Sequence, residues 1–547
     1  MLSVVMLSTG CTQKFYKKWA DSEVFGILGK KVKTVAGAED ETLLNITPPP
    51  PVNLAALVKQ SQTEDFLGNR AYIEKGARVI KLNDALDFAV HHNRIYLGRK
   101  EQVYLAALDL TQTRQQYGPI ADGGGGTKFT ETQVKTGVND FVRTSTLTAD
   151  GAIGLDMLMK TGARLAMDLT TDFTRFFTGG IRSFNDSRAA VRLTQPLLRG
   201  AGVLAAVEPL RQDERDVLYA VRDFTQYRKT FTVDVTRQYL RAIQAREAAR
   251  NRFVAYKASL VSIERDNALA EANLRSQSAL KQIEQGSLTY ERNWLSAIRT
   301  YEEQLDDLKI VLGLPVTERI MLDSNELKRL EIIDPNGSLE SCTDTALVTR
   351  LDLYNQRDTL QDAERRVKIA HQNTLPTVNA IVNYQINSPA NNLGMELNPR
   401  YRNVSGGLDV DLNLNTLPER NSLRAAQISE QATRRNLELQ EEQLRSTLRA
   451  DWRDLQLARR QYELAQKGLE LAQKRLEIEE ALMAEGQGTA RDIVESQDRL
   501  ITARDLVIST IIDHNLARLQ LWTDMGVLFI RKDGRWEDVL KSEKHES

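Results

Sequence analysis

The sequence predicts a mainly α fold with a small β part. It has long coiled-coil arms, and strands that several copies would have to pool to build a membrane barrel. Three observations predict it: a heptad seam over more than a hundred residues, a few segments that alternate apolar and polar side chains, and a repeated order of elements. The seam lies in Pro418 to Met525. Leu448, Leu455, Tyr462, Leu469, Leu476 and Met483 recur every seven residues, beside a row of Ala458, Ala465 and Ala472. Arg, Glu, Gln and Lys lie between the rows, the pattern of a coiled coil. No proline interrupts Glu419 to Phe529. The return arm continues through Ile493, Leu500, Val507, His514 and Leu521 after a turn at Gly486-Gln487-Gly488. At about 1.5 Å per residue, the arm from Pro418 to Gly486 is roughly 100 Å long.

Composition sets the bounds. Of 547 residues 6% are aromatic and 27% charged, which suits long helices more than compact cores. The formal net charge of −1 provides no basic field for nucleic acid. The two cysteines, Cys11 and Cys342, cannot build a disulfide framework, and no metal-ligand spacing is present. No apolar run reaches the eighteen residues of a membrane helix, which leaves membrane barrels open, since their strands are far less conspicuous.

Taken in order, residues 1–11 read as a leader. Gly10-Cys11 after an apolar run is similar to a bacterial lipoprotein processing site and predicts lipidation of Cys11. No basic residue precedes the run, as a secretory signal requires, which points to a start upstream of Met1. Residues 12–81, with the proline run Pro48 to Pro51, read as an extended N-terminal arm. A helix is expected from about Asn83 to Tyr117, ahead of Gly118-Pro119. Gly123 to Gly126, followed by Thr127-Lys128, lack the Gly-Lys-Ser/Thr order of a phosphate loop and are expected to form a flexible loop.

Alternation appears in Arg164–Thr170, in Val191–Thr194, in Thr377–Asn387 and most cleanly in Leu408–Asn415, where Leu408, Val410, Leu412 and Leu414 face Asp409, Asp411, Asn413 and Asn415. Side chains alternate faces along a strand, so one face is aliphatic and the other polar. A sandwich core or a lipid-facing barrel fits equally. The placement between long helices, with no other strands to build a sandwich, favours the barrel. Four strands cannot enclose an aqueous lumen, so several chains must pool them. Three chains would supply twelve.

The elements repeat. Residues 82–335 give a helix, two strands, a long helix to about 285 and a return helix opening at Gly286-Ser287-Leu288-Thr289. Residues 336–526 give the same order, with the return helix opening at Gly486-Gln487-Gly488-Thr489, and 527–547 form a tail. Pro209 is expected to break the first long helix near its start. A catalytic constellation is absent: the five histidines lack metal spacing, so neither catalytic residues nor cofactors are expected. His514 sits on the seam and is expected to pack.

With that order on the page, Leu193-Thr-Gln-Pro-Leu-Leu-Arg-Gly-Ala-Gly202, Ala346-Leu-Val-Thr-Arg-Leu-Asp-Leu353, Leu375-Pro376 and Gly488-Thr-Ala-Arg-Asp-Ile-Val-Glu-Ser-Gln-Asp-Arg-Leu500 resemble the TolC-like outer-membrane efflux protein family over about residues 80–530. The resemblance implies a homotrimer with four strands per protomer in the outer membrane and a helical tunnel in the periplasm. It implies a periplasmic adaptor and an inner-membrane transporter as partners, in an efflux pump or a type I secretion system. Acidic residues after the second turn narrow the tunnel mouth in the family, and Asp492 and Glu495 match them. Gly488 stands where relatives often carry a gating arginine, and Arg292 where the first hairpin often carries an aspartate. Arg491 and Arg292 are the expected counter-charges, and the two turns, Gly286–Thr289 and Gly486–Thr489, the expected docking tips. The alternative, a soluble structural coiled coil, gives no reason for the alternating strands.

Overall fold

A computed structural model describes residues 12–38, 44–52, 54–60, 64–135, 141–178, 182–272, 276–333, 337–389, 396–485 and 487–536. Cys11 and the rest of the leader, Gly486, and 537–547 of the tail lie outside these. Two compact units are formed: Met1–Lys31, Tyr104–Ala220 and Asn355–Leu437 make the first, and Val32–Val103, Val221–Tyr354 and Glu438–Ser547 the second. Each draws on both halves of the chain.

Helix α1 (Gln13–Val32) opens the chain, so twenty residues of the expected extended arm are helical. The proline run Pro48–Pro51 joins no helix or strand. Strand β1 (Arg78–Ile80) and helices α2 (Leu82–His92) and α3 (Arg94–Gln116) follow. They replace the single helix expected over 83–117. The break is at Asn93, whose side chain accepts from Tyr96 N at 2.9 Å and donates to Val311 O at 2.8 Å. The second half has a matching break at Arg350, between α8 (Leu339–Thr349) and α9 (Leu351–Gln372).

The first unit holds a six-stranded antiparallel sheet in the order β2-β3-β4-β5-β7-β8. Its strands are β2 (Ile120–Lys135), β3 (Phe141–Leu158), β4 (Arg164–Phe176), β5 (Arg182–Pro196), β7 (Thr377–Asn387) and β8 (Arg402–Asp411). The four alternating segments fall in β4, β5, β7 and β8, although Leu412–Asn415 lie past the end of β8. Among the described residues this sheet therefore has six strands, where four were expected from one chain. Gly123–Gly126 are not a loop: they are paired in β2 with Ile153, Ala152, Gly151 and Asp150. Four residues without side chains leave no alternation to read.

Register puts apolar side chains on one face across the whole sheet. One row runs Ala121, Leu155, Met167, Val191, Tyr384, Val404. Much of this face is uncovered: Ile153 is 64% exposed, Val404 63% and Leu408 68%. The other face carries Asp168, Arg192, Asn383 and Asp409. Asp150, Asp172 and Asp186 oppose one another on a single row of it. Ion pairs hold the helical part of this unit. Arg215 bonds Asp358 at 3.1 Å and Asp362 at 2.6 Å, and Arg365 bonds Glu208 at 3.1 Å.

Helix α4 (Gly202–Ala206) and α5 (Glu208–Glu271) follow the sheet, with Pro209 in the first turn of α5, where its missing N–H costs nothing. Then come α6 (Gln277–Leu312), β6 (Ile320–Leu322) and α7 (Asn325–Lys328). After β8 the chain forms α10 (Leu417–Ala484) and α11 (Ala490–Asp524). The 68 residues of α10 correspond to about 100 Å of helix.

The second unit is built on these hairpins and a parallel pairing of β1 with β6. Leu448, Leu455, Ala458, Ala465 and Met483 of the heptad rows are buried in α10. His514 is fully buried, as expected of a seam residue, and burial beside Arg518 and Arg459 pushes it down to about 4. A buried ionic staple joins α5 to the segment before β1. Arg246, with no exposed surface, bonds Glu74 through Nε at 2.7 Å and Nη2 at 2.9 Å. Tyr301 donates to the same carboxylate at 2.8 Å, and Arg246 donates to Ser324 Oγ at 2.8 Å.

Candidate gate at the hairpin ends

The second hairpin turns over 485–489. Gln487 N and Gly488 N both donate to Leu482 O, at 2.9 and 3.0 Å. The chain doubles back so tightly that a Cβ on residue 488 would lie 2.9 Å from Met483 N and 3.1 Å from its Cα. Only glycine fits, which explains why no arginine stands here. Thr489 then caps α11: its hydroxyl accepts from Asp492 N at 3.3 Å and bonds the Asp492 carboxylate. An acid in the first turn also suits the positive end of the helix dipole.

The first hairpin turns elsewhere than the sequence suggested. Helix α5 ends at Glu271, and Ser276 caps α6, accepting from Ala279 N at 3.2 Å. Gly286, Ser287, Leu288 and Thr289 therefore lie inside α6, not at a tip. Gly286 faces Val494 at ordinary contact distance: a Cβ there would sit 3.6 Å from it. Ser287 is buried and accepts from Ser259 Oγ at 2.9 Å. Leu288 is exposed, and Thr289 back-bonds Gln285 O at 3.3 Å.

The two hairpins lock just behind these ends. Ile283, Met483 and Ile493 form a buried cluster, with Ile263 and Ala279 against it. Tyr290 donates to Val494 O at 3.1 Å. Burial and the Asp498 carboxylate hold its phenol well above the ordinary range, so it remains a donor.

The expected gate residues are not joined to one another within one chain. Asp492 is engaged with Thr489. Glu495 pairs with Arg499 at 2.6 Å, one helical turn on, and lies 3.9 Å from Arg475. Arg491 and Arg292 are exposed and pair with neither acid among the described residues. Sequence reasoning missed Arg499, Arg475 and Tyr290. The i,i+4 spacing of Glu495 and Arg499 was a readable signal for the first; the others come from a different helix and left none.

Residues 343–520 match the family model described as outer membrane efflux protein. These residues, about a third of the chain, form an outer membrane efflux protein domain. The matched residues run from α8 to α11, so the efflux protein domain includes β7, β8 and the second hairpin with its turn. No curated protein sequence matches the chain. Among solved structures, CusC, described for its transmembrane channel formation, is 13% identical with a TM-score of 0.61, covering 87% of this chain and 99% of its own. The outer-membrane channel OprN is 12% identical, TM-score 0.58, over 88% and 97%. The CmeC outer membrane channel of Campylobacter jejuni is 15% identical, TM-score 0.56, over 91% and 98%. At such identities the likeness is one of fold, and it extends beyond the efflux protein domain to most of the chain.

Proposed function

We propose that the protein is a homotrimeric outer-membrane channel, the exit duct of a tripartite efflux pump or type I secretion system. The observation that carries this reading is the sheet: one face largely apolar and much of it uncovered, the other largely polar, and both edges open. Lipid outside and water inside suit such a sheet. A soluble coiled-coil protein has no use for it.

The hairpins support the assembly. Leu457, Leu464, Leu471 and Ile478 form a second heptad row on α10, each more than half exposed. Val254 and Val261 on α5, and Leu288 and Leu295 on α6, keep the same seven-residue spacing and are also exposed. Rows of this kind mate with one another between copies. The helices then continue the duct into the periplasm. The ends of the two hairpins, where α5 gives way to α6 and α10 to α11, meet a periplasmic adaptor, which links the duct to an inner-membrane transporter. Lipidation of Cys11 adds an anchor in the outer membrane.

Fractionation, cross-linking and planar-bilayer conductance of the purified protein test this. The expected result is an outer-membrane trimer that conducts ions after reconstitution. Extraction without detergent as a monomer would overturn the reading. Leu464→Glu with Leu471→Glu should dissociate the trimer while circular dichroism still reports folded helices. Each leucine buried against a neighbour contributes about 1.5–3 kcal/mol.

A further inference from the structure

The hairpin β2–β3 is built like the rest of the sheet. β2 has 16 residues and β3 has 18, against 13 in β4 and 10 in β8. Every residue of β2 is paired, from Ile120↔Asp156 to Lys135↔Phe141. The apolar row Ala121, Leu155, Met167, Val191, Tyr384, Val404 begins on β2 and ends on β8. The neighbouring row, Asp122, Gly154, Asp168, Ala190, Gln385, Asn403, lies wholly on the other face. Glycines make room for carboxylates on that polar face. A Cβ on residue 154 would come within 2.5 Å of Asp122 Oδ1, and one on residue 126 within 3.2 Å of Asp150 Oδ1. On the apolar face β2 adds Ala121 and Phe129 among Gly123, Gly125 and Thr127, and only past Thr130 does that face turn polar with Glu131, Gln133 and Lys135, so the hairpin extends both faces of the sheet over Ile120–Thr130.

The open edges are β2 and β8. β2 leaves α3 and β8 returns to α10, so β2 of one copy meets β8 of the next antiparallel. In lipid neither edge can stay unpaired. The ladder also allows the stagger that closure needs. From Ile120, the first residue of β2, it passes through Asp156, Ala166, Arg192 and Asn383 to Ser405. Ser405 lies six residues before the end of β8 at Asp411, so a neighbouring copy's Ile120 placed beside Asp411 would give a slip of one residue per strand. A rise of about 3.3 Å against a spacing of about 4.8 Å tilts the strands by about 35°, the tilt of closed barrels. Six is even, so a register with Ile120 beside Asp411 and Asp122 beside Asp409 keeps the polar face of one copy level with that of the next.

We propose that the trimer closes an eighteen-stranded barrel, with β2 of each protomer paired to β8 of the next, in place of the twelve strands expected from the sequence. The proposal rests on the trimeric channel reading above. Barrel diameter grows roughly linearly with strand number, so the lumen is about half as wide again as that of twelve strands.

Disulfide trapping in the full-length outer-membrane protein tests it, in a Cys342→Ser background with single-cysteine controls. Asp122→Cys is combined in turn with Ser405→Cys, Asp409→Cys and Asp411→Cys. In a separate series Asp168→Cys on β4, the edge strand of a twelve-stranded closure, is combined with the same three. Covalent dimers and trimers from the Asp122 series, strongest with Asp409→Cys, and none from the Asp168 series are expected. Cross-links from the Asp168 series alone, or from neither series in a protein that still runs as a trimer, overturn the eighteen-stranded barrel and leave the channel reading standing. A monomer in both series overturns the two together.

Discussion

The sheet and the helical hairpins both leave apolar side chains uncovered, and they do so with different periods. In β8 the exposed residues Val404, Leu408 and Val410 fall on alternate positions of one face. In α10 Leu457, Leu464, Leu471 and Ile478 recur every seven residues. A period of two clears a whole face, which suits a continuous apolar medium. A period of seven clears a narrow stripe, which suits one other helix. Charge is handled differently as well. The sheet leaves Asp150, Asp172 and Asp186 exposed on its polar face, whereas the hairpin unit buries Arg246 against Glu74. On the proposed reading the sheet is organised by the media on its two sides, whereas the hairpin unit is organised by its own interior.

That contrast is broken most severely by removing one partner of the buried pair. Arg246→Met leaves Glu74, 1% exposed, without its guanidinium, and should cost about 3–5 kcal/mol. Denaturant unfolding followed by the helical signal measures it. A loss under about 1 kcal/mol would show that the interior does not depend on the staple. The next largest effect belongs to the sheet. Leu408→Arg puts a charge on the apolar face and should cost up to about 2–4 kcal/mol near mid-bilayer, whereas Asp409→Arg on the polar face should cost far less. Refolding into bilayers compares the two. Equal costs would erase the distinction between the faces.

What was legible in the sequence follows the same contrast. The heptad rows were readable because period seven survives in every turn of helix, and Leu448, Leu455, Ala458 and Ala465 are buried where the pattern put them. β8 was readable because Leu408, Asp409, Val410 and Asp411 alternate in kind. β2 was not, because Gly123–Gly126 carry nothing to alternate, although Thr146, Thr148, Asp150 and Asp156 against Leu147, Ala149, Ile153 and Leu155 in β3 do. The second turn announced itself through Gly488, where the backbone excludes a side chain. The first turn, between Glu271 and Ser276, contains neither glycine nor proline. Gly286 looked like its marker, but it lies within α6. At the gate, side chains from separate helices, Tyr290 and Arg475, are brought in by packing that no local pattern encodes.

A smaller effect distinguishes the hairpin unit by pH. Burial, with the Asp524 and Asp454 carboxylates alongside, pushes Asp451 up to about 7, against the partial offset of Arg350. The folded state therefore holds a proton that the unfolded chain releases near pH 4. That contribution to stability is fully present below the unfolded value and is lost as pH rises through about 7. Asp451→Asn keeps the shape and removes the titration. Its melting temperature should exceed that of the wild type at pH 8 and match it at pH 4. An advantage of the same size at both values would assign the effect to packing.

The smallest expected effect on the fold, and the one that decides where the two regions share a task, concerns charge along the duct. In the proposed trimer Asp492 and Glu495 would contribute six carboxylates at the start of α11, the mouth on that reading, with Arg499 and Arg475 close to Glu495. The barrel would carry its own row of Asp150, Asp172 and Asp186. Rings of carboxylate select cations and bind multivalent ones, and a ring at a constriction acts more strongly than one in a wide lumen, because field lines concentrate there. Asp492→Asn with Glu495→Gln should therefore reduce cation preference and multivalent block in planar bilayers. It should leave the melting temperature nearly unchanged, since partly exposed charges contribute little to stability and Thr489 still caps Asp492 N. Asp150→Asn with Asp172→Asn should change selectivity less. The reverse order would move the selective site from the hairpin ends to the sheet, and leave Asp492 as the capping acid of α11.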